Sequence, residues 1–200
     1  MSNKGNLVQL HKLEATSDLL EKASRRLAGV PNGANTALLR ALNRTLENAR
    51  AEAVRAVTDQ YAIKPNIVRG VIRLRKAYVG PISGNTYLYA DMYASDVNLP
   101  LKRFKVSPRT DTTGANRRKI RAEIIKGKPL GNLKQAFVWR GHVFERVGSA
   151  SLPIEKRYGP AVPVMLGNEK VSSRIMDSAH KHLEKNLEHE IEFILSEVTQ

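Results

Sequence analysis

The chain has 200 residues, 42% of them apolar, which is enough to bury a sizeable core as one domain without covalent staples. It has no cysteine, which excludes thiol nucleophiles, disulfides and cysteine-ligated zinc and suits folding in a reducing cytoplasm. A formal charge of +14 marks a surface that attracts polyanions, whether nucleic acid, anionic lipid or an acidic protein face. No window approaches 18 uninterrupted apolar residues, and Met1–Gly5 lacks the apolar run of a secretory signal, so no membrane partner and no export are expected.

In chain order, residues 1–33 read as an N-terminal helical arm, with a short helix around Ser17 to Ala28 that Gly29, Pro31 and Gly33 end. Residues 34–80 read as a helical segment. Leu38, Leu42, Leu46, Ala49, Ala53 and Val57 recur at spacings of three or four, which predicts a long helix over about 35–61. Pro65 is placed to start a further short helix with Ile67, Val68, Val71 and Ile72 as its apolar face, and with Arg69, Arg73, Arg75 and Lys76 around it.

Residues 81–150 read as a basic, β-rich segment. Tyr87, Tyr89, Asp91 and Tyr93 would share one face of a strand, with Leu88, Ala90 and Met92 on the other. Further strands are expected at Leu99–Val106, Lys119–Ile125, Ala136–Trp139 and His142–Val147, the last two joined by an Arg140-Gly141 hairpin. Phe137 and Trp139 share an alternation that suggests core. Residues 107–118 carry the turn residues of a long mobile loop. Residues 151–168 form a Pro- and Gly-rich connector. Over 169–200, Val171, Ile175, Ala179, Leu183, Leu187, Ile191 and Leu195 repeat every fourth residue and predict a long C-terminal helix, about 169–197, with a winding buried stripe. The fold class expected is α+β: one domain in which an antiparallel sheet of about four or five strands packs with the two long helices.

Charge is segregated along the chain. From Lys102 to Arg146 there are 13 Lys and Arg against Asp111, Glu123 and Glu145, a local balance of +10, whereas Glu169 to Glu197 has seven acids against four bases. Such polarity suits head-to-tail contact between copies, and equally two different partners.

The signatures of catalysis are missing. The sequence contains no phosphate-cradling G-x-x-x-x-G-K-[ST], no G-x-G-x-x-G after a strand and no G-x-S-x-G elbow. His189-Glu190 opens like a zinc-protease motif, but Phe193 occupies the second ligand position. His180 and His182, two residues apart, point roughly 200° from each other on a helix, which favours solvated or interface histidines over a metal site. Asp91, Asp96 and Asp111 are available for acid–base work, although turn or surface roles suit them better. The expectation is therefore a protein that binds and assembles, with no enzymatic activity, no cofactor and no metal. The clusters Arg69–Lys76, Lys102-Arg103-x-Lys105 and Arg117-Arg118-Lys119-x-Arg121 suit phosphate or carboxylate contact, with a solvated basic face as the plain alternative. The alternating tyrosines suit packing across a sheet better than stacking on bases.

The run Leu152-Pro153-Ile154-Glu155-Lys156-Arg157-Tyr158-Gly159-Pro160-Ala161-Val162-Pro163-Val164-Met165-Leu166 resembles the prophage minor tail protein Z family of lambda-like bacteriophages, as do Arg40-Ala41-Leu42-Asn43-Arg44, Tyr61-x-Ile63, Val68-Arg69 and Arg75-Lys76-Ala77 upstream. The resemblance implies a virion protein, made in the host cytoplasm, at the head-proximal end of a long tail. Its implied work is tail completion and head–tail joining. By analogy with neighbouring tail and neck proteins it would act as a ring, six-fold as the natural expectation, alongside tail terminator and tube proteins. Prolines and Gly159 would hold residues 152–166 stiffly, which makes Leu152, Tyr158, Pro160 and Pro163 the candidate assembly interface. Arg69, Arg73, Arg75, Lys102, Arg103, Arg117, Arg118 and Lys119 are the candidate contacts to DNA in a channel or to an acidic partner. The alternative function is non-specific nucleic-acid binding through the same clusters.

Overall fold

The computed structural model describes residues 7–14, 17–82, 85–112, 118–131, 133 and 135–198. The chain is α+β, with the helices α1 (Ser17–Arg26), α2 (Gly33–Gln60), α3 (Pro65–Val71), α4 (Val162–Leu166) and α5 (Glu169–Val198). The two long helices predicted from periodicity are α2 and α5.

The α2 face toward α5 is rich in alanine: Ala37, Ala41, Ala49, Ala53 and Ala56 are all buried, which lets the larger Ile175, Leu183, Leu187 and Ile191 of α5 seat closely against it. The two helices run antiparallel. Arg174 near the start of α5 pairs with Glu52 and Asp59 of α2, and Asn186 donates to Thr45 Oγ1 at 3.0 Å further along.

Among the described residues the strands form three antiparallel sheets of three, in place of the single four- or five-stranded sheet expected. The first has the order β1 (Leu7–Glu14), β3 (Asn85–Ser95), β2 (Ile72–Ile82). The second is β4 (Lys105–Ser107), β5 (Arg121–Ile125) and β6 (Lys128–Pro129), and the third β7 (Ala136–Trp139), β8 (His142–Arg146) and β9 (Ile154–Lys156). In the first sheet Leu88, Ala90, Met92 and Ala94 of β3 point into the core beneath α2, as their alternation predicts.

Several expectations are corrected. Residues 1–33 are not wholly helical, because β1 precedes α1 and pairs along β3. The helical segment ends at Val71, and Arg73, Arg75 and Lys76 belong to β2. The reason is Gly70 near the end of α3 and a β-branched Ile72 whose backbone is already extended. Residues 99–106 hold a short 3-10 turn (Leu101–Arg103) before β4, not one continuous strand. The connector contains β9 and α4, and α4 buries Val162, Met165 and Leu166. Phe137 and Trp139 are not core. Val138 is the inward residue of β7, and the two rings lie outside beside Phe144, capped by the guanidinium groups of Arg146 and Arg140.

A β-bulge interrupts β2 between Arg75 and Tyr78. The Ala77 N–H donates to Asn43 Oδ1 of α2 at 2.7 Å, which answers the backbone donor at the bulge and locks the first sheet to the helix. The hairpin at Arg140-Gly141 has φ of 48° and 68°, a left-handed pair that the two-residue spacing demands.

Candidate polyanion interface

The cationic surface takes its shape from one unobtrusive pairing. Ile63, in the link between α2 and α3, bridges Phe104, while Ala62 N–H donates to Ile124 O at 2.8 Å and Lys126 N–H to Gln60 O at 2.9 Å. These bonds draw Lys64, Lys102, Arg103, Arg109 and Lys126 to one side of the molecule from four separate stretches of chain. Together they line two hollows of about 410 Å³ and 240 Å³ that share Lys64, Arg103 and Arg109. A third, of about 150 Å³, continues past Lys102 and Arg109 toward Val138 and Gly141.

Glu123 is the acid in the wall of this groove. Its Oε2 accepts from Lys105 Nζ at 2.8 Å and its Oε1 from Gly127 N–H at 2.9 Å, and these bonds hold its carboxyl below the usual range. Among the described residues no carboxylate pairs with Lys64, Lys102, Arg103, Arg109 or Lys126. At the end of the groove, Lys102 Nζ sits 2.9 Å from His142 Nε2. Burial, with Lys102, Lys156 and Arg103 nearby, pushes the imidazole pKa down and keeps the ring neutral.

The expected site residues divide. Lys102 and Arg103 line the groove. Arg69 is exposed on α3. Arg73 lines a different hollow of about 770 Å³, with Lys76, Arg44 and Arg50, between α2 and β2. Arg118 and Lys119 are exposed ahead of β5, and Arg117 lies outside the described residues. Arg75 is taken internally, pairing with Asp91 Oδ2 at 3.1 Å and stacking over Tyr78 and Tyr93. Asp91 is accordingly a fully buried carboxylate in β3, neither a turn nor a surface residue, and it also accepts from the Tyr78 and Tyr93 hydroxyls. Burial first, then the neighbouring Tyr89 and Asp91, pushes the Tyr78 phenol up to about 12. Tyr89 packs edge-on against Tyr78 with centroids 4.2 Å apart, so the tyrosines serve the sheet. The Tyr87 side chain lies outside the described residues.

Sequence reading missed Lys64, Arg109 and Lys126. Lys64 and Arg109 are lone bases in their segments and Lys126 has only Lys128 beside it, and the Ile63–Phe104 pairing with the bonds around it joins them. Residues 107–112 are also better anchored than a mobile loop: Arg109 Nη2 donates to Phe104 O at 3.4 Å, and Thr112 exchanges hydrogen bonds with Val138 at 2.8 and 2.9 Å. Residues 113–117 of that loop lie outside the described residues.

The expected interface residues divide as well. Leu152 and Tyr158 are exposed, Pro160 is half-buried, and Pro163 is buried at the start of α4, where no partner can reach it. The segment bearing Tyr158 is strapped down. Leu101 N–H donates to Arg157 O at 3.0 Å, Gly159 N–H to Leu99 O at 2.8 Å and Arg157 N–H to Val143 O at 2.9 Å. Gly159 lies so close to Phe104 that a Cβ there would stand 2.5 Å from the ring. The acidic tail, by contrast, is partly used up inside the chain. Glu188 pairs with Lys22 and Arg26 of α1, and the buried Glu190 with Arg44 and Arg40 of α2.

Among the described residues no group of His, Asp and Glu is placed to hold a metal ion, and no helix is long and apolar enough to cross a membrane. A family model described as prophage minor tail protein Z (GPZ) matches residues 19–200. Neither the curated proteins nor the solved structures gave a match.

Proposed function

Since this chain belongs to the prophage minor tail protein Z family, and is therefore a structural protein of the bacteriophage tail and virion, we infer that it completes the tail at its head-proximal end and readies it for head–tail joining. Its partners in this reading are copies of itself in a ring and the adjoining tail terminator and tube proteins. The family points to a structural role and away from catalysis.

The observation that carries the assembly reading is the display of Val147, Leu152 and Tyr158 as exposed apolar side chains beside the third sheet. Tyr158 stands on a strap fixed at both sides by backbone hydrogen bonds, so little conformational entropy is lost when a partner covers it. Val147 and Leu152 flank one end of the β8–β9 pair and Tyr158 the other, and exposed apolar groups of this kind are what the buried centre of a protein interface requires. With Glu188 and Glu190 engaged internally, this apolar surface is a better supported contact than basic-to-acidic docking.

Light-scattering mass of nuclease-treated protein at low and high salt tests the ring. An oligomer that survives high salt and is lost in Tyr158→Ala supports it. An oligomer that Tyr158→Ala leaves unchanged removes Tyr158 from the interface. The second reading, non-specific nucleic-acid binding, is favoured by the unpaired cations of the groove.

A further inference from the structure

We propose that the groove between the α2–α3 link, the 3-10 turn and the β5–β6 turn is a sequence-blind clamp for the phosphate backbone of duplex DNA, formed by Lys64, Lys102, Arg103, Arg109 and Lys126. The proposal goes beyond the tail-completion reading, because it assigns a ligand and five residues to a surface that assembly alone does not require.

Like charges gathered in a groove repel one another; Glu123, already bonded to Lys105, attracts Lys126 across the groove, but among the described residues no carboxylate stands within ion-pairing distance of any of the five, and Lys102 Nζ rests on His142. An external polyanion supplies the missing countercharge. The groove is also set in place before any ligand arrives. Lys64 follows the Ile63–Phe104 bridge, Arg103 N–H donates to Pro100 O at 2.8 Å, and the Lys126 and Arg109 bonds tie the other two segments to the same frame. Cations held on fixed backbone and without a paired carboxylate bind a repeating row of phosphates at low ordering cost, Lys102 by exchanging its contact with His142 and Arg109 through the guanidinium nitrogens that Phe104 O does not engage.

The chemistry of the walls selects the ligand. Phe104, the aromatic residue of the groove, is 1% exposed beneath Gly159, so no ring is offered to unstacked bases and single-strand recognition lacks its stacking platform. An acidic protein would need an exposed aromatic or aliphatic anchor at the centre of the contact, and Ile63 and Phe104 are both buried. A duplex backbone asks only for spaced cations.

The test is anisotropy of a labelled duplex of random sequence, titrated with the full-length protein across a salt series. The wild type should bind at low salt with log affinity falling linearly in log salt. Arg103→Ala with Arg109→Ala should lower that slope by about 1.8, near ~0.9 for each phosphate that is no longer neutralised. Lys64→Ala with Lys126→Ala, from the other wall, should do the same, which guards against misfolding of either pair. Lys181→Ala with Lys185→Ala, exposed on α5, should leave the slope unchanged. The proposal is overturned if the wild type ignores duplex at low salt, if both groove pairs keep the full slope, or if poly-glutamate displaces duplex at equal charge. The last result would make the groove a dock for an acidic protein. Light-scattering mass, measured on the same variants, fails or succeeds independently of DNA binding, so loss of this proposal is distinguishable from loss of the assembly reading.

Discussion

The helical half of the molecule and the half built from residues 99–158 use the same residue types to opposite ends. In the helical half, charges are matched within the chain: Glu190 is buried between Arg40 and Arg44, Glu188 takes Lys22 and Arg26, and Arg174 takes Glu52 and Asp59. Most of its apolar side chains are covered, from Leu38 to Ile194, with Leu20, Val164, Phe193 and Val198 exposed on the helices. In the small-sheet half, cations stand unpaired around the groove and Trp139, Val147, Leu152 and Tyr158 face solvent. The first half therefore satisfies most of its own groups, and the second leaves more of its charge and apolar surface for something else. In the proposed assembly the helical half supplies stability and the small-sheet half supplies contacts.

This contrast breaks if core and surface substitutions act alike. The largest expected loss is in the helical half: Leu187→Ala, at a position 1% exposed, should cost about 2–5 kcal/mol in chemical denaturation. Gly159→Ala should cost about 1–3 kcal/mol, because the added Cβ drives into Phe104. It should also weaken duplex binding, since Phe104 follows the turn carrying Lys102 and Arg103, and a combined melt and anisotropy measurement reads both. Glu190→Gln should cost about 1–2 kcal/mol, less than a deeply buried pair, because Arg40 and Arg44 retain access to water. At the small end, Val147→Ser and Leu152→Ser should stay within about 0.5 kcal/mol of wild type while disturbing assembly.

Acid sharpens the comparison. The folded-state pKa of His142 is depressed, so the unfolded chain takes up the proton first. Its contribution is full above the unfolded value near ~6.5 and falls away as pH drops from there through the folded value. Lys102→Ala should flatten this loss in a pH series of melts. Glu123 and Glu188, whose carboxyls are lowered by their lysine partners, act in the same direction at lower pH. Their contribution is present above the unfolded value near ~4.3 and is lost below it.

What could be read from the sequence was whatever local periodicity records. The helical repeats of Leu38 to Val57 and Val171 to Leu195, the alternation of Leu88, Ala90 and Met92, and the Arg140-Gly141 turn all sit in their expected elements. β1 escaped because Leu7–Glu14 mixes polar and apolar residues and forms a strand only by pairing along β3. The division into three sheets escaped because strand partnership is set by contacts far apart in sequence. The groove was half legible: Lys102 and Arg103 are conspicuous neighbours, whereas Lys64 and Arg109 become their companions only through the Ile63–Phe104 bridge. Arg75 and Asp91 misled for the complementary reason, since a strand register buries Asp91 and pairs it with a still exposed Arg75. The stretches resembling the tail family turn out to hold staples of the fold. Asn43 secures the bulge, Ile63 the bridge and Gly159 the strap.

The most direct test adds purified protein to phage tails assembled without this chain and counts the tails that become competent to join heads. Wild type should restore joining, and so should Glu190→Gln, which touches only the helical half. A folded Leu152→Ser, Tyr158→Ala double variant should fail. Restoration by that variant equal to wild type would contradict the claim that the small-sheet half carries the contacts by which this protein works.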